Sequence, residues 1–158
     1  MDSNSFKWYK VKNGSVSVAV VDITVENSTS NKNEIVENYH GEAGMSQGYI
    51  DSVPQNGFDS WKIAARHGLE YGFSYSKNHW RVQINSIEGR DFIDTNPTIV
   101  GYTIFRAFCE KANVNLSAAD IEDLDNFVLN SWVKPYKELL PDFFARTFSE
   151  YKFENKSE

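Results

Sequence analysis

The sequence predicts an α+β domain. Three features carry that prediction: an Asn13–Gly14 pair between two runs of alternating apolar residues, a helix-period stripe starting at Phe58, and an Asn96–Pro97 helix start. Strands lead, helices dominate the second half, and one strand separates the first two helices.

Phe6 to Lys12 alternates as a strand does, and Asn13–Gly14 supplies the positive φ that both central residues of a type I′ turn require. Beyond the turn Val16, Val18 and Val20 share one face, but from Val21 the apolar phase passes to Val21, Ile23 and Val25. A strand changes face only by gaining a residue, which predicts a bulge near Val20–Val21. Asn27–Asn33 is a polar loop, and Glu34–His40 a short strand centred on Ile35 and Val36. The connection "HGEAGMSQGYIDSVPQNG" holds Gly41, Gly44, Gly48, Pro54 and Gly57, too much punctuation for a regular element. Connections of that length commonly carry function.

Phe58 to Tyr71 is helical, with Phe58, Trp61, Ala65 and Leu69 on one stripe, Ile63 and Ala64 widening it, and Gly72 placed to end it in the left-handed region. His79–Ile87 alternates Trp80, Val82 and Ile84 against Arg81, Gln83 and Asn85, a strand with one buried face. Glu88–Gly89 reads as a tight turn and Phe92–Ile93 as a short returning strand. Asn96 is a good N-cap with Pro97 at the first helical position, and Val100, Ile104, Ala107 and Phe108 form the stripe of the helix to Ala112. Ser117 and Asp120 stand at capping-box spacing before a third helix with Ile121, Leu124, Val128 and Trp132, expected to close at Pro135. A last short helix from Pro141 is expected to bury Phe144 and Phe148. No linker or repeat interrupts the chain, which reads as one domain over 1–158.

Composition narrows the function classes. The 158 residues are 41% hydrophobic and 15% aromatic, enough for a folded core, and the net charge is −6. That sign argues against bare nucleic acid, whose capture rests on clustered Lys and Arg. The single cysteine, Cys109, allows no intrachain disulfide and lies in an apolar helical run, where the thiol is a small buried hydrophobe. Met1–Lys12 has no apolar leader region, and Val16–Val25 is too short to cross a bilayer. The cytoplasm is the expected compartment, and no membrane partner is expected.

Catalytic patterns are missing: no phosphate-binding loop, no dinucleotide glycine pattern and no serine nucleophile elbow. His40, His67 and His79 lie in three separate segments without zinc spacing, so no metal or cofactor is expected. Glu122, Asp123 and Asp125 fit the solvated face of the third helix, and Asp91 and Asp94 fit turn and cap positions better than an acid–base pair. Glu37 and Glu42 bracket His40, a combination able to tune a general base if the fold joined them.

The run "WRVQINSIEGRDFIDTNPTIVGYTIFRAFCEKA", with Val82, Ile84, Gly89, Asp94, Thr95, Phe105, Ala107 and Phe108, resembles domain IV of the ribosomal translocase elongation factor G. "FDSWKIAARHGLEYG" is similar to that family's first helix, and "NEIVENYHGEAG" to the strand before it. The resemblance spans Val16 to Ala112. It implies a domain IV-like core over 6–114: a mixed β-sheet with two helices packed on one face and a left-handed βαβ crossover, against the general right-handed preference. Residues 115–153 then read as appended C-terminal helices.

The departures bear on function. The GTPase and its coupling domains have no counterpart here, the glycine connection is longer, and Phe92 stands near the place of the family's usual tip histidine. What the resemblance implies is a stand-alone, non-enzymatic binding domain, with a protein or ribonucleoprotein as partner and the charge favouring protein. Its candidate contact residues are Glu88, Gly89, Arg90, Asp91 and Phe92 in the turn, with His40, Glu42, Met45 and Tyr49 in the glycine connection. Two other readings compete: a small-molecule binder or enzyme with a pocket near His40, Glu42 and Trp80, and an acidic inhibitor of the immunity-protein type, for which charge would speed capture of a basic target.

Overall fold

Asn13 and Gly14 adopt φ +53° and +80°, the left-handed pair expected of the hairpin turn joining β1 (Ser5–Lys12) to β2 (Ser15–Asn27). The computed structural model describes residues 5–42 and 50–152. Its remaining elements are β3 (Glu34–Glu37), β4 (Asp51–Ser52), α1 (Asp59–Phe73), β5 (Trp80–Gly89), α2 (Pro97–Lys111), α3 (Ala118–Leu129), β6 (Leu139–Asp142) and β7 (Thr147–Glu150). The fold is mixed α+β, as the sequence predicts.

The main sheet runs β1-β2-β5-β3, with the short β4 also on β5. β1–β2 and β2–β5 are antiparallel, whereas β3 pairs with β5 in parallel, Glu34 opposite Arg81 and Glu37 opposite Ile84. A parallel pair needs a crossover, and α1 lies in that connection. On the inner face Trp8, Ala19, Val21, Ile23, Val82, Ile84 and Ile87 share one core with Trp61 and Leu69 of α1 and Ile104 and Phe108 of α2.

The bulge lies on a different strand from the one expected. β2 keeps a single phase, burying Ser17, Ala19, Val21 and Ile23, while Val16, Val18 and Val20 stay half-buried on the outer face. The register shift falls where Asp22 pairs with Ser86 and Ile23 with Ile84, so the extra residue is Asn85 on β5. Ser17 is buried because the Trp132 indole N–H donates to its hydroxyl at 2.9 Å, a contact 115 residues away in sequence. A small residue fits at Ser17 because a large aromatic from far along the chain covers it.

The two central helices meet at glycines. A Cβ on Gly68 would run into the Gly101 carbonyl, and one on Gly101 would lie 2.6 Å from the Ala64 carbonyl oxygen. Gly72, expected as a left-handed terminator, sits inside α1 because the Phe108 ring packs where its Cβ would be. α2 starts as predicted: Asn96 Oδ1 accepts the Ile99 N–H at 2.8 Å and Pro97 follows. Ser117 likewise caps α3 through the Asp120 N–H at 3.0 Å.

The C-terminal third departs most from expectation. α3 ends at Leu129 rather than Pro135, and the expected final helix is a β6–β7 hairpin, so the extension is one helix and two strands. Asp142 Oδ1 accepts the Ala145 N–H at 3.0 Å and Arg146 takes φ +58°, closing a turn that a helix cannot contain. This turns Phe143 into the core at 1% exposure and leaves Phe144 outside at 64%. Phe148 stacks on Phe127 with centroids 4.5 Å apart.

Candidate functional site

β5 ends at Gly89, where the Thr95 side chain occupies the space a Cβ would need. Thr95 then staples the turn that follows. Its hydroxyl accepts the Arg90 N–H at 2.9 Å and donates to the Val18 carbonyl at 2.6 Å, while the Val18 N–H donates to the Asp94 carbonyl at 2.8 Å. The Arg90 guanidinium grips the Asp94 carboxylate, with Nε 3.2 Å from Oδ2 and Nη2 bonded to the same oxygen. Asn96 Nδ2 donates to Ser131 Oγ at 2.8 Å, tying the start of α2 to the end of α3.

Held at both ends, the turn presents Phe92 at φ +72°, a left-handed conformation that an aromatic residue rarely adopts. The Phe92 side chain is 63% exposed and Ile93 54%. Both border a groove of about 710 Å³ whose other walls are the hairpin end from Lys12 to Ser17, Leu129 and Asn130, and the segment of Trp132, Val133, Lys134 and Tyr136. The Tyr136 ring meets Phe92 edge to face at 4.9 Å, and Trp132 leans on Tyr136 at 5.8 Å. The charged side chains of this wall are lysines, Lys12 and Lys134, in a chain of net charge −6.

Beneath the groove lies Asp91. Burial pushes its carboxyl up to about 6, reinforced by Glu138 and Asp51, while the Phe92 N–H and the Trp61 indole oppose the shift. The indole faces the carboxyl without hydrogen-bond geometry, so Trp61 Nε1 and Asp91 Oδ1 remain buried without a direct partner, as does the Tyr136 hydroxyl. Burial, Asp91 and Glu138 all raise the pKa of that phenol, which stays protonated. The site thus holds one carboxyl that burial raises to about 6. Cys109 is buried and its thiol is pushed up to about 12, the behaviour of a core residue rather than a nucleophile. Among the described residues, no group of three His, Cys, Asp or Glu side chains could hold a metal ion.

The residues singled out from the sequence divide sharply. Glu88 and Gly89 are strand residues paired with Ser52 and Asp51, Arg90 is engaged by Asp94, and Asp91 is half-buried, leaving Phe92 as the outward contact. His40 and Glu42 reach the same end of the sheet: the Gly41 N–H donates to Val53 at 3.0 Å and the Ser52 N–H to Glu42 at 3.2 Å. Met45 and Tyr49 lie outside the described residues. The pocket near His40, Glu42 and Trp80 is not assembled, because Trp80 begins β5, against Phe108 and Ser76, while Glu42 lies by the strand's far end. Ile93 and Tyr136 were not singled out from the sequence, and Trp132 was read as part of the stripe of the third helix. The aromatic pair astride Pro135 in "WVKPY" was the signal, masked by its fit to a helix.

No protein-family model matches the chain, and no curated protein matches it. The molecule is defined by its fold class and by this aromatic groove at one end of the sheet. No helix among the described residues is long and apolar enough to cross a membrane.

Proposed function

We propose that this chain is a non-enzymatic binding domain whose groove at Phe92 receives an apolar segment of a partner protein flanked by Asp or Glu. The carrying observation is the outward display of Phe92 at positive φ and 63% exposure. A soluble fold gains no stability from holding an aromatic outward on a strained backbone, and such strain concentrates at functional sites. Aromatic side chains around a concave patch supply the anchoring area that binding hot spots use. Lys12 and Lys134 then favour acidic flanks on the occupant and steer it to this end of an otherwise acidic molecule. The same lysines argue against a basic target at this face. The turn also holds the place of the tip in the elongation factor G domain IV resemblance, which makes the ribosome the second partner class to examine.

A displayed peptide library selected on the whole chain and counter-selected on Phe92→Ala/Ile93→Ser tests this directly. Enriched peptides should pair apolar residues with Asp or Glu, lose at least tenfold in affinity on the variant, and weaken with Lys12→Glu or with salt. Peptides that bind the variant equally well, or that carry basic flanks, would overturn the reading. Co-sedimentation with ribosomes at moderate salt that depends on Phe92 would replace the protein partner with a ribonucleoprotein.

A further inference from the structure

A second concavity lies on the far edge of the sheet, between the end of β3 and the first turns of α1. Its volume is about 340 Å³ and it is lined by Glu37, Asn38, Tyr39, His40, Gln55, Lys62 and Arg66. Lys62 is the unusual member. The residue is 7% exposed, yet among the described residues its ammonium meets no carboxylate. Its recorded contacts are one hydrogen bond to the Gln55 carbonyl at 2.8 Å and the face of the Tyr39 ring at 4.9 Å. An ammonium has three N–H donors, and lysines are almost never buried without an opposite charge.

Glu37, the carboxylate of the lining, is turned to other partners. Glu37 Oε2 accepts the Arg66 Nε–H at 2.8 Å, and Glu37 Oε1 accepts the Tyr39 hydroxyl at 2.8 Å. Burial and the Glu37 hydrogen bond both raise the Tyr39 pKa, so the phenol keeps its proton and holds that oxygen. Each Glu37 oxygen therefore has a partner other than Lys62, and Asp59 acts on Arg66, so no carboxylate among the described residues pairs with the Lys62 ammonium. The segment 43–49, outside the described residues, contains no Asp or Glu that could answer it.

We propose that this concavity is a binding site for a small phosphate-bearing anion, a phosphate monoester, with Lys62 as its principal charge. The lining favours phosphate over carboxylate. Lys62, Arg66, His40 and the Asn38 amide come from β3's exit and two turns of α1, so donors are distributed around the concavity. Three terminal phosphate oxygens can use such a distribution. A carboxylate is best recognised by the flat edge of a guanidinium, and the Nε side of Arg66 is already given to Glu37. A volume near 340 Å³ suits a compact ligand rather than a large cofactor.

Titration of the whole chain with inorganic phosphate, at constant ionic strength set by chloride, tests the site by amide NMR and thermal unfolding. Saturable shifts should centre on residues 38–40, 62 and 66, and the melting temperature should rise with phosphate and with a phosphate monoester such as glycerol phosphate. Lys62→Met should fold at least as stably without phosphate, because it replaces a buried charge that no carboxylate pairs with by an apolar side chain of similar length. It should lose at least tenfold in phosphate affinity, the loss of one charge-assisted hydrogen bond. Equal responses of wild type and Lys62→Met, shifts scattered over the surface, or saturable binding of succinate without phosphate would each overturn the assignment. Arg66→Gln, at a half-exposed position, gives a second reading should Lys62→Met fail to fold: unchanged phosphate affinity in that variant would also count against the site.

Discussion

Asp91 shows how a residue that reads from sequence as a turn aspartate acquires chemistry from its surroundings. Its carboxyl has an ordinary pKa near 3.9 in an unfolded chain and about 6 in the fold, because burial and the facing Glu138 and Asp51 disfavour the anion. The folded state therefore binds more protons between those two values, and the Asp91 contribution to stability falls as pH rises through that interval. Asp91→Asn removes the anion while keeping an oxygen toward Trp61. The variant should be more stable than wild type at pH 7 by about 1–2 kcal/mol, the full shift being discounted for partial access to solvent. The gap should narrow below about pH 5. Denaturant unfolding of both proteins from pH 4.5 to 7.5 checks this, and a gap independent of pH would assign the effect to packing instead.

At the scale of elements, the decisive contact is the crossing of α1 and α2. Gly68 and Gly101 let the two backbones approach closely, each occupying space beside a carbonyl of the other helix. The obstructing atoms are backbone and cannot rotate away, so Gly101→Ala should destabilise by about 1–3 kcal/mol despite alanine's better helix propensity. Gly14→Ala meets no neighbouring atom within 4 Å, and its cost comes from positive φ instead. Comparing the urea midpoints of the two variants separates crowding from backbone strain. The same scale explains which helix ends were legible. The side chains of Asn96 and Ser117 each accept a backbone N–H three residues on, a local chemistry visible in sequence. The end of α3 was hidden because Trp132 fits the helical stripe yet is drawn to Ser17 on β2.

For the molecule as a whole, the C-terminal hairpin is part of the central core rather than an appendage. Phe143 lies among Tyr71, Phe105 and Phe127, with ring centroids 5.7, 6.5 and 5.8 Å away. The His67 Nδ1–H donates to the Pro141 carbonyl at 3.0 Å and the Thr98 hydroxyl to the Leu139 carbonyl at 2.9 Å, fastening β6 to both central helices. Phe143→Ala should cost about 3–5 kcal/mol, whereas Phe144→Ala, at an exposed position, should stay within about 0.5 kcal/mol. Thermal denaturation of the pair decides between an integrated hairpin and a detachable one. A small effect of both substitutions would mean that the core closes without this segment.

The sequence by itself determined the β1–β2 turn, the two central helices, the strand between them and the caps of α2 and α3. Each rests on interactions within a few residues, such as positive φ at Asn13–Gly14 or an N-cap oxygen meeting an amide one turn away. Only the tertiary structure decided which face of β2 is buried, that the bulge is Asn85, and that Phe143 rather than Phe144 turns inward. It also decided that Phe92 is joined by Trp132 and Tyr136 to make a groove. Those outcomes depend on partners far apart along the chain, and a period-2 or period-3.6 pattern records that a side chain is apolar without recording what will cover it.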